Sequence, residues 1–121
     1  MILGLRTAIY PAPDLAAAKT WYSAAFSATP YFDEPFYVGF SIGGFELGLI
    51  PDGVPGTSGS QVLWGVDDID AEYARLIGLG ATPLEPAYDV GEGIRVAAVA
   101  DPFGNRLGLI QNPLFDPTRV K

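Results

Sequence analysis

One four-residue string occurs twice in this chain. Leu47-Gly48-Leu49-Ile50 returns as Leu107-Gly108-Leu109-Ile110, each time three residues after a turn glycine, Gly44 and Gly104. Both copies read as a buried strand entered through a tight turn. Gly43-Gly44 joins the strand Phe36–Ile42 to Phe45–Ile50 as a hairpin. Asp101-Pro102-Phe103-Gly104-Asn105 leads into the second copy, with the φ of Pro102 preset and Gly104 relaxing the fourth turn position. Along that strand Leu107 and Leu109 share one face, and Gly108 and Ile110 the other, while Arg106 at its start is expected to reach water. A duplication of this kind asks for the chain to be read as two copies of one unit.

The rest of the chain obeys the duplication. The first copy opens with a strand over Leu3–Tyr10, ended by Pro11-Ala12-Pro13. Asp14 is placed to cap a helix in which Leu15, Ala18, Tyr22 and Phe26 form one apolar stripe, with a stop near Ser27. A short strand over Thr29–Phe32 precedes the hairpin. Pro51–Ser60 is rich in proline, glycine and serine, without apolar periodicity, and separates the copies. The second copy has a strand over Gln61–Val66 and then a helix capped by Asp68 or Asp70. That helix carries Ile69, Tyr73, Leu76 and Ile77 on one face and ends at Gly78 and Gly80. A short strand over Thr82–Leu84, a loop over Tyr88–Gly93 and a strand over Ile94–Ala100 lead to the closing turn and strand. Phe115–Lys121 is a tail with no predicted structure.

Thr7 matches Gln61, Tyr10 matches Trp64 and Asp14 matches Asp68 at an offset of 54, which becomes 60 across the last hairpin. The expected class is α+β: two tandem βαβββ modules, 3–53 and 60–113, joined by a linker at 54–59 and followed by a tail at 114–121. At 121 residues they make one domain.

Composition removes several function classes. The chain has neither cysteine nor histidine, so thiolate and imidazole chemistry are excluded, as nucleophile, base or metal ligand. A net charge of −7 argues against phosphate neutralisation, so no nucleic-acid partner is expected. No apolar run approaches the roughly 18 residues that would span a bilayer. The start carries no basic and apolar leader pattern, so a cytoplasmic location is the expectation. Hydrophobic residues make up 49% of a short chain, which points to burial beyond its own core and a homodimer.

The strand–Asp-Leu–helix–aromatic run from Thr7 to Tyr22, Val66-Asp67-Asp68-Ile69-Asp70, and the Asp101–Asn105 turn with its strand resemble the vicinal oxygen chelate superfamily. This is the fold of glyoxalases, bleomycin-resistance proteins and extradiol dioxygenases. The resemblance covers roughly residues 3 to 112 and implies paired modules forming a curved mixed sheet around a cavity, in dimers. In metal-dependent members each module offers one ligand from its first strand and one from its last. Carried over, those positions are Thr7 and Gln61, Gly108, and through the internal repeat Gly48. Such a set holds at most one neutral amide oxygen, where a catalytic divalent ion needs about three charged or imidazole ligands. No metal and no other cofactor is expected.

The same strand face carries Ile9, Ile50, Leu63 and Ile110, an apolar surface with Thr7 and Gln61 as its few polar groups. The two glycines either enlarge a pocket there or mark strand bends beneath a filled interior. Tyr31 and Tyr37 could line the cavity and stack on an aromatic or cationic ligand. Glu46 aligns with Arg106 at a strand start and shares a face with Gly48, which makes it the one candidate base. Trp21, Tyr22, Phe26 and Trp64 read as packing, Glu92 and Arg95 as solvated charge, and Asp67, Asp68 and Asp70 as helix capping. The expected ligand-binding set is Thr7, Ile9, Tyr37, Gly48, Ile50, Gln61, Leu63, Gly108 and Ile110. The expected function is metal-free binding of a partly apolar small molecule, as in bleomycin-resistance proteins. The alternative is a lyase or isomerase that uses a carboxylate base.

Overall fold

The first module is threaded by a parallel pair. Strand β1 (Thr7–Pro11) lies beside β4 (Phe45–Ile50), β4 pairs antiparallel with β3 (Tyr37–Ile42), and β3 with β2 (Phe32–Glu34). Two adjacent strands can run parallel only if the chain crosses back between them. Helix α1 (Leu15–Ala25) forms part of that crossover. Its start is fixed by Asp14, whose carboxylate accepts from the N–H of Ala17 at 3.1 Å. Ala16-Ala17-Ala18 carries it forward at low entropic cost, and Ser27, at φ 49°, turns the chain away after it. The computed structural model describes Met1, Leu3 and residues 5–120, divided into two compact units at Pro55 and Gly56, inside the expected linker.

Alternation sorts the sheet's faces. Ala8, Tyr10, Val38, Phe40, Leu47 and Leu49 are buried, as are Ala18, Tyr22 and Ala25 of α1. Tyr22 is fully covered, stacked on Tyr10 and Phe26 with ring centroids 5.8 Å away in both cases, and meets Trp21 edge-on at 4.9 Å. The helix aromatics are therefore packing residues, as their spacing predicts.

The second module repeats the plan. Strand β5 (Leu63–Gly65) is followed by α2 (Ile69–Gly78), β6 (Thr82–Gly91), β7 (Ile94–Ala100) and β8 (Arg106–Gln111). The sheet order β5-β8-β7-β6 mirrors β1-β4-β3-β2. Asp68 caps α2 by accepting from Ala71 N–H at 3.2 Å, and the side chain of Gln111 accepts from Ile69 N–H at 2.8 Å. Ile69, Leu76, Ala97, Val99, Leu107 and Leu109 are buried. The closing turn is tied by a buried carboxylate. Asp101, 3% exposed, accepts from the backbone N–H groups of Phe103 and Asn105 at 2.9 and 2.8 Å and from the Asn105 side chain at 3.3 Å. One side chain thus replaces the ladder bonds that the turn gives up.

The register bears out the internal repeat. Ile9 stands opposite Gly48 and Leu63 opposite Gly108; Gly39 faces Gly48 and Ala98 faces Gly108. The offset of 54 holds between β1 and β5 and that of 60 between β4 and β8, while β3 and β7 are offset by 59, one residue short of the expected 60.

Several boundaries differ from expectation. Strand β1 begins at Thr7, not Leu3; Leu3 and Leu5 are exposed, and Gly4 lies outside the described residues. The Arg6 carbonyl still accepts from Glu46 N–H at 2.9 Å, and the register pairs to β4 start at Thr7–Glu46. Strand β2 falls on Phe32–Glu34 rather than Thr29–Phe32, and β5 keeps only Leu63–Gly65 of Gln61–Val66. The largest difference is β6. A three-residue strand and a loop were expected, and a single ten-residue strand pairs irregularly with β7 instead. Two register shifts fall around Pro83 and Pro86, and a third between Asp89 and Gly91 beside the turn. Only Glu92-Gly93 form the turn, both at positive φ (57° and 77°), the geometry that lets a two-residue hairpin match strand twist. The tail also carries a short 3-10 turn, Pro117–Arg119, capped by Asp116, while Lys121 lies outside the described residues. No helix among the described residues is long and apolar enough to cross a membrane.

Candidate functional site

The face of the first sheet opposite α1 carries a carboxylate encircled by hydroxyls. Thr7 and Glu46 are register partners on β1 and β4, and the Thr7 hydroxyl donates to Glu46 Oε1 at 3.1 Å. Tyr31 is brought to the same carboxylate by its own backbone, whose N–H bonds Gly39 O at 3.0 Å, and its phenol donates to Glu46 Oε2. The phenol of Tyr37 lies close enough to the same carboxylate to feel its negative charge. The expected site residues Thr7, Ile9, Tyr37, Gly48 and Ile50 therefore share one face with Glu46.

Two glycines make the arrangement possible. A β-carbon on Gly39 would lie 2.8 Å from Glu46 Oε2 and 3.2 Å from ring carbons of both Tyr31 and Tyr37. A β-carbon on Gly48 would collide with the Tyr37 hydroxyl and lie 2.7 Å from its Cζ. Real side-chain carbons do not approach so closely, so the phenol lies where a residue-48 side chain would begin. Of the two readings of Gly48, enlarged pocket or filled interior, the local geometry supports the second: Tyr37 takes the room. Phe32 extends the aromatic surface, edge-on to Tyr37 and to Phe36 with centroids 6.0 Å apart in each case.

Electrostatics follow from the contacts. Hydrogen bonding to Glu46 raises the Tyr31 phenol above its ordinary value near 10, with smaller contributions from burial and the charge on Glu46. Tyr37 is raised first by burial and then by the charge on Glu46. Both tyrosines stay neutral donors at physiological pH. In a spectrophotometric alkaline titration, Glu46→Gln is expected to bring Tyr31 back towards 10 while Tyr37 keeps part of its elevation. Equal return of both would contradict the assignment of causes.

In the second module Leu63, Gly108 and Ile110 share the corresponding face. A β-carbon on Gly108 would lie 2.6 Å from the carbonyl oxygen of Val62 and 2.7 Å from Leu63 Cδ2. Here too the space beside the glycine is occupied. Gln61 is exposed and precedes β5 instead of standing on it. Arg106, expected to reach water, is largely covered and pairs with Glu85 of β6 at 3.1 Å across the intervening strand β7. The structure groups the expected site residues within each module: five with Glu46 in the first, three in the second.

The remaining candidates resolve as packing or capping. Arg95 holds Asp70 through two hydrogen bonds of 2.8 and 3.1 Å, and this keeps the Asp70 carboxyl below its usual range. Glu92 sits in the hairpin turn. An open depression of about 350 Å³ lies on the helix side of the first sheet, bordered by Leu15, Val38, Pro35 and the Lys19–Asp33 ion pair. It is on the face opposite Glu46.

Among the described residues no three carboxylates stand close enough to hold a metal ion. The open face of the first module supplies one carboxylate and neutral hydroxyls, and Gly48 and Gly108 supply nothing. This donor set does not fit a catalytic divalent centre. Sequence reasoning named Tyr31 as a cavity residue but missed its bond to Glu46, the room that Gly39 leaves for that carboxylate, and Phe32 beside Tyr37. The signal available was the aromatic pairs Tyr31-Phe32 and Phe36-Tyr37 flanking an edge strand.

The sequence profile described as Glyoxalase/Bleomycin resistance protein/Dioxygenase superfamily matches residues 4–109. A Mycobacterium bovis protein named "Putative glyoxylase CFP32" is 30% identical over 109 residues, which are 81% of this chain and 41% of that protein; the Mycobacterium tuberculosis protein of that name matches equally. The chain thus spans about two fifths of the length of these relatives. Among solved structures, a glyoxalase-related enzyme from Fulvimarina pelagi aligns with TM-score 0.77 at 22% identity, covering 95% of this chain and 92% of that one. A lactoylglutathione lyase from Agrobacterium tumefaciens aligns with TM-score 0.73 at 20% identity, covering 93% and 96%. These likenesses are of fold.

Proposed function

This chain belongs to the glyoxalase/bleomycin resistance protein/dioxygenase superfamily, and from that premise we propose that it binds a small, partly apolar molecule without a metal centre. The supporting observation is a hydroxyl-bonded Glu46 beside the exposed rings of Tyr31, Phe32 and Phe36. The face offers a shape, an aromatic surface and one charge, which are the elements of a binding site. It lacks the ligands that would polarise a substrate carbonyl or activate oxygen. The proposed role is sequestration, as in the resistance-type members, with the ligand on the face of Thr7, Ile9, Tyr37 and Ile50.

The test joins metal analysis to ligand screening. Chelator-washed protein is expected to return no stoichiometric zinc, nickel or iron, and to gain melting temperature with amphipathic aromatic compounds. One bound transition metal per chain, or no stabilisation by any compound class, overturns the proposal.

A second reading has its own support. Glu46 is a carboxylate on the open face, and named relatives include a glyoxylase and a lactoylglutathione lyase. Glu46 would then be the base of a lyase or isomerase. Its oxygens already accept from Thr7 and Tyr31, which reduces the lone pairs open to a substrate proton. Turnover of the methylglyoxal–glutathione adduct without added nickel or zinc would favour this reading over sequestration. A homodimer remains part of the proposal, and a dimer mass by light scattering at micromolar concentration is the expected result.

A further inference from the structure

We propose that the Glu46 cluster selects a protonated amine carried on an apolar or aromatic body. The inference rests on the open face of the first module being a ligand site, and it names the ligand's chemistry. Four observations converge on it.

Glu46 forms no ion pair among the described residues, although it is half-buried. The cations of its own module are engaged elsewhere: Lys19 holds Asp33 at 3.0 Å, and Arg6 donates to the Leu5 carbonyl at 3.2 Å. The carboxylate is held from the sides by neutral donors. Thr7 takes one lone pair of Oε1 and Tyr31 one of Oε2. A carboxylate has about four acceptor sites, so acceptor capacity remains for N–H donors of a ligand. The phenols around it resist ionisation and so add no negative charge that would compete for the amine. Finally, the rings of Tyr31, Tyr37, Phe32 and Phe36 form a surface next to that single charge, with Tyr31 and Phe36 each 64% exposed. Aromatic faces attract ammonium groups and pack well against apolar bodies. An anionic ligand would meet Glu46 unfavourably, and a neutral one would leave its charge unanswered.

A primary amine suits this cluster better than a quaternary ammonium. Rings attract both, but only the amine has N–H groups to donate to the free lone pairs of Glu46. Calorimetry on the full chain at low ionic strength tests this with a matched series on one aromatic body. The probes are 2-phenylethylamine, its N,N,N-trimethyl derivative, 2-phenylethanol and 3-phenylpropionate. The amine is expected to bind about tenfold more tightly than the alcohol, as one half-exposed ion pair plus a cation–ring contact would give. The quaternary compound should fall between them, and the propionate should be weakest. Added salt should narrow the gap between amine and alcohol. Glu46→Gln should erase that gap while leaving alcohol binding, and Phe36→Ala should weaken every probe.

Equal affinity for amine and alcohol, or a preference that survives Glu46→Gln, overturns the amine inference. In either case the ligand-site reading stands if the alcohol binds and Phe36→Ala weakens it. Binding by none of the four overturns both. Should Glu46→Gln fail to fold, the carbon-13 shift of the Glu46 carboxyl in the native chain takes its place. That signal must move with the amine and not with the alcohol, and a shift insensitive to the amine sinks the proposal.

Discussion

Tyr22→Ala is expected to remove about 3–5 kcal/mol from the first module, the usual cost of emptying a fully covered aromatic site. Domain stabilities are about 5–15 kcal/mol, so the variant should sit at or near its unfolding midpoint in water. The size of the effect comes from the number of neighbours that depend on one ring. Tyr22 stacks on Tyr10 of the sheet and on Phe26 beyond the helix end, and takes Trp21 at its edge. Alanine removes all three ring contacts and leaves a cavity that an alanine-rich helix has no side chain to fill. Urea melts followed by fluorescence give the measurement. Trp21 reports on the first module and Trp64 on the second, so coincident or separate loss of their signals also shows whether the modules unfold as one cooperative unit. A loss below about 1 kcal/mol would mean that the ring cluster is not the first module's anchor.

The repeat glycines give the second large effect, and it is asymmetric. Gly108→Ala is expected to cost about 2–3 kcal/mol, and Gly48→Ala about 1 kcal/mol. The two positions are equivalent in register but not in what surrounds them. The methyl group added at residue 108 would lie 2.6 Å from the Val62 carbonyl oxygen, which is main chain leading into β5. That oxygen can retreat only by disturbing the parallel pairing of β5 with β8. The methyl group at residue 48 meets the far end of the Tyr37 side chain, which can swing aside. Combining Gly48→Ala with Tyr37→Ala should therefore show strong coupling, with the second change cancelling the strain of the first. Leu63→Ala should relieve Gly108→Ala only in part, since the carbonyl contact remains. Equal costs at the two glycines, or full rescue by Leu63→Ala, would show that backbone proximity is not the deciding term.

Much of this architecture was legible in the residues. The helix caps Asp14 and Asp68, the closing turn at Asp101–Asn105 and the equivalence of Gly48 and Gly108 follow from local chemistry and the repeat. Failures came where the deciding contact was distant in sequence. Strand β6 looked like a short strand followed by a loop because Pro86 and Gly91 are poor strand residues, yet pairing to β7 overrode local preference. Arg106 looked like a solvated strand start because Glu85 is 21 positions away. At the site, alternation placed Thr7, Glu46 and Gly48 on one face, while Tyr31 reaches Glu46 through a backbone bond to Gly39 that no periodicity reveals. The glycines suggested open space because a sequence shows which side chain is missing, not which neighbour moves in.

Strand β6 is the outer strand of its sheet and, at ten residues, the longest in the chain. A straight outer strand of that length would offer a row of free main-chain donors and acceptors to any extended peptide, including another copy of itself. This one is spoiled as a template. Pro83 and Pro86 remove two N–H donors, and three register shifts bend the row out of line. The prolines and register shifts thus guard the strand against fibril-like stacking. Extension of the sheet by a second strand is disfavoured at that margin.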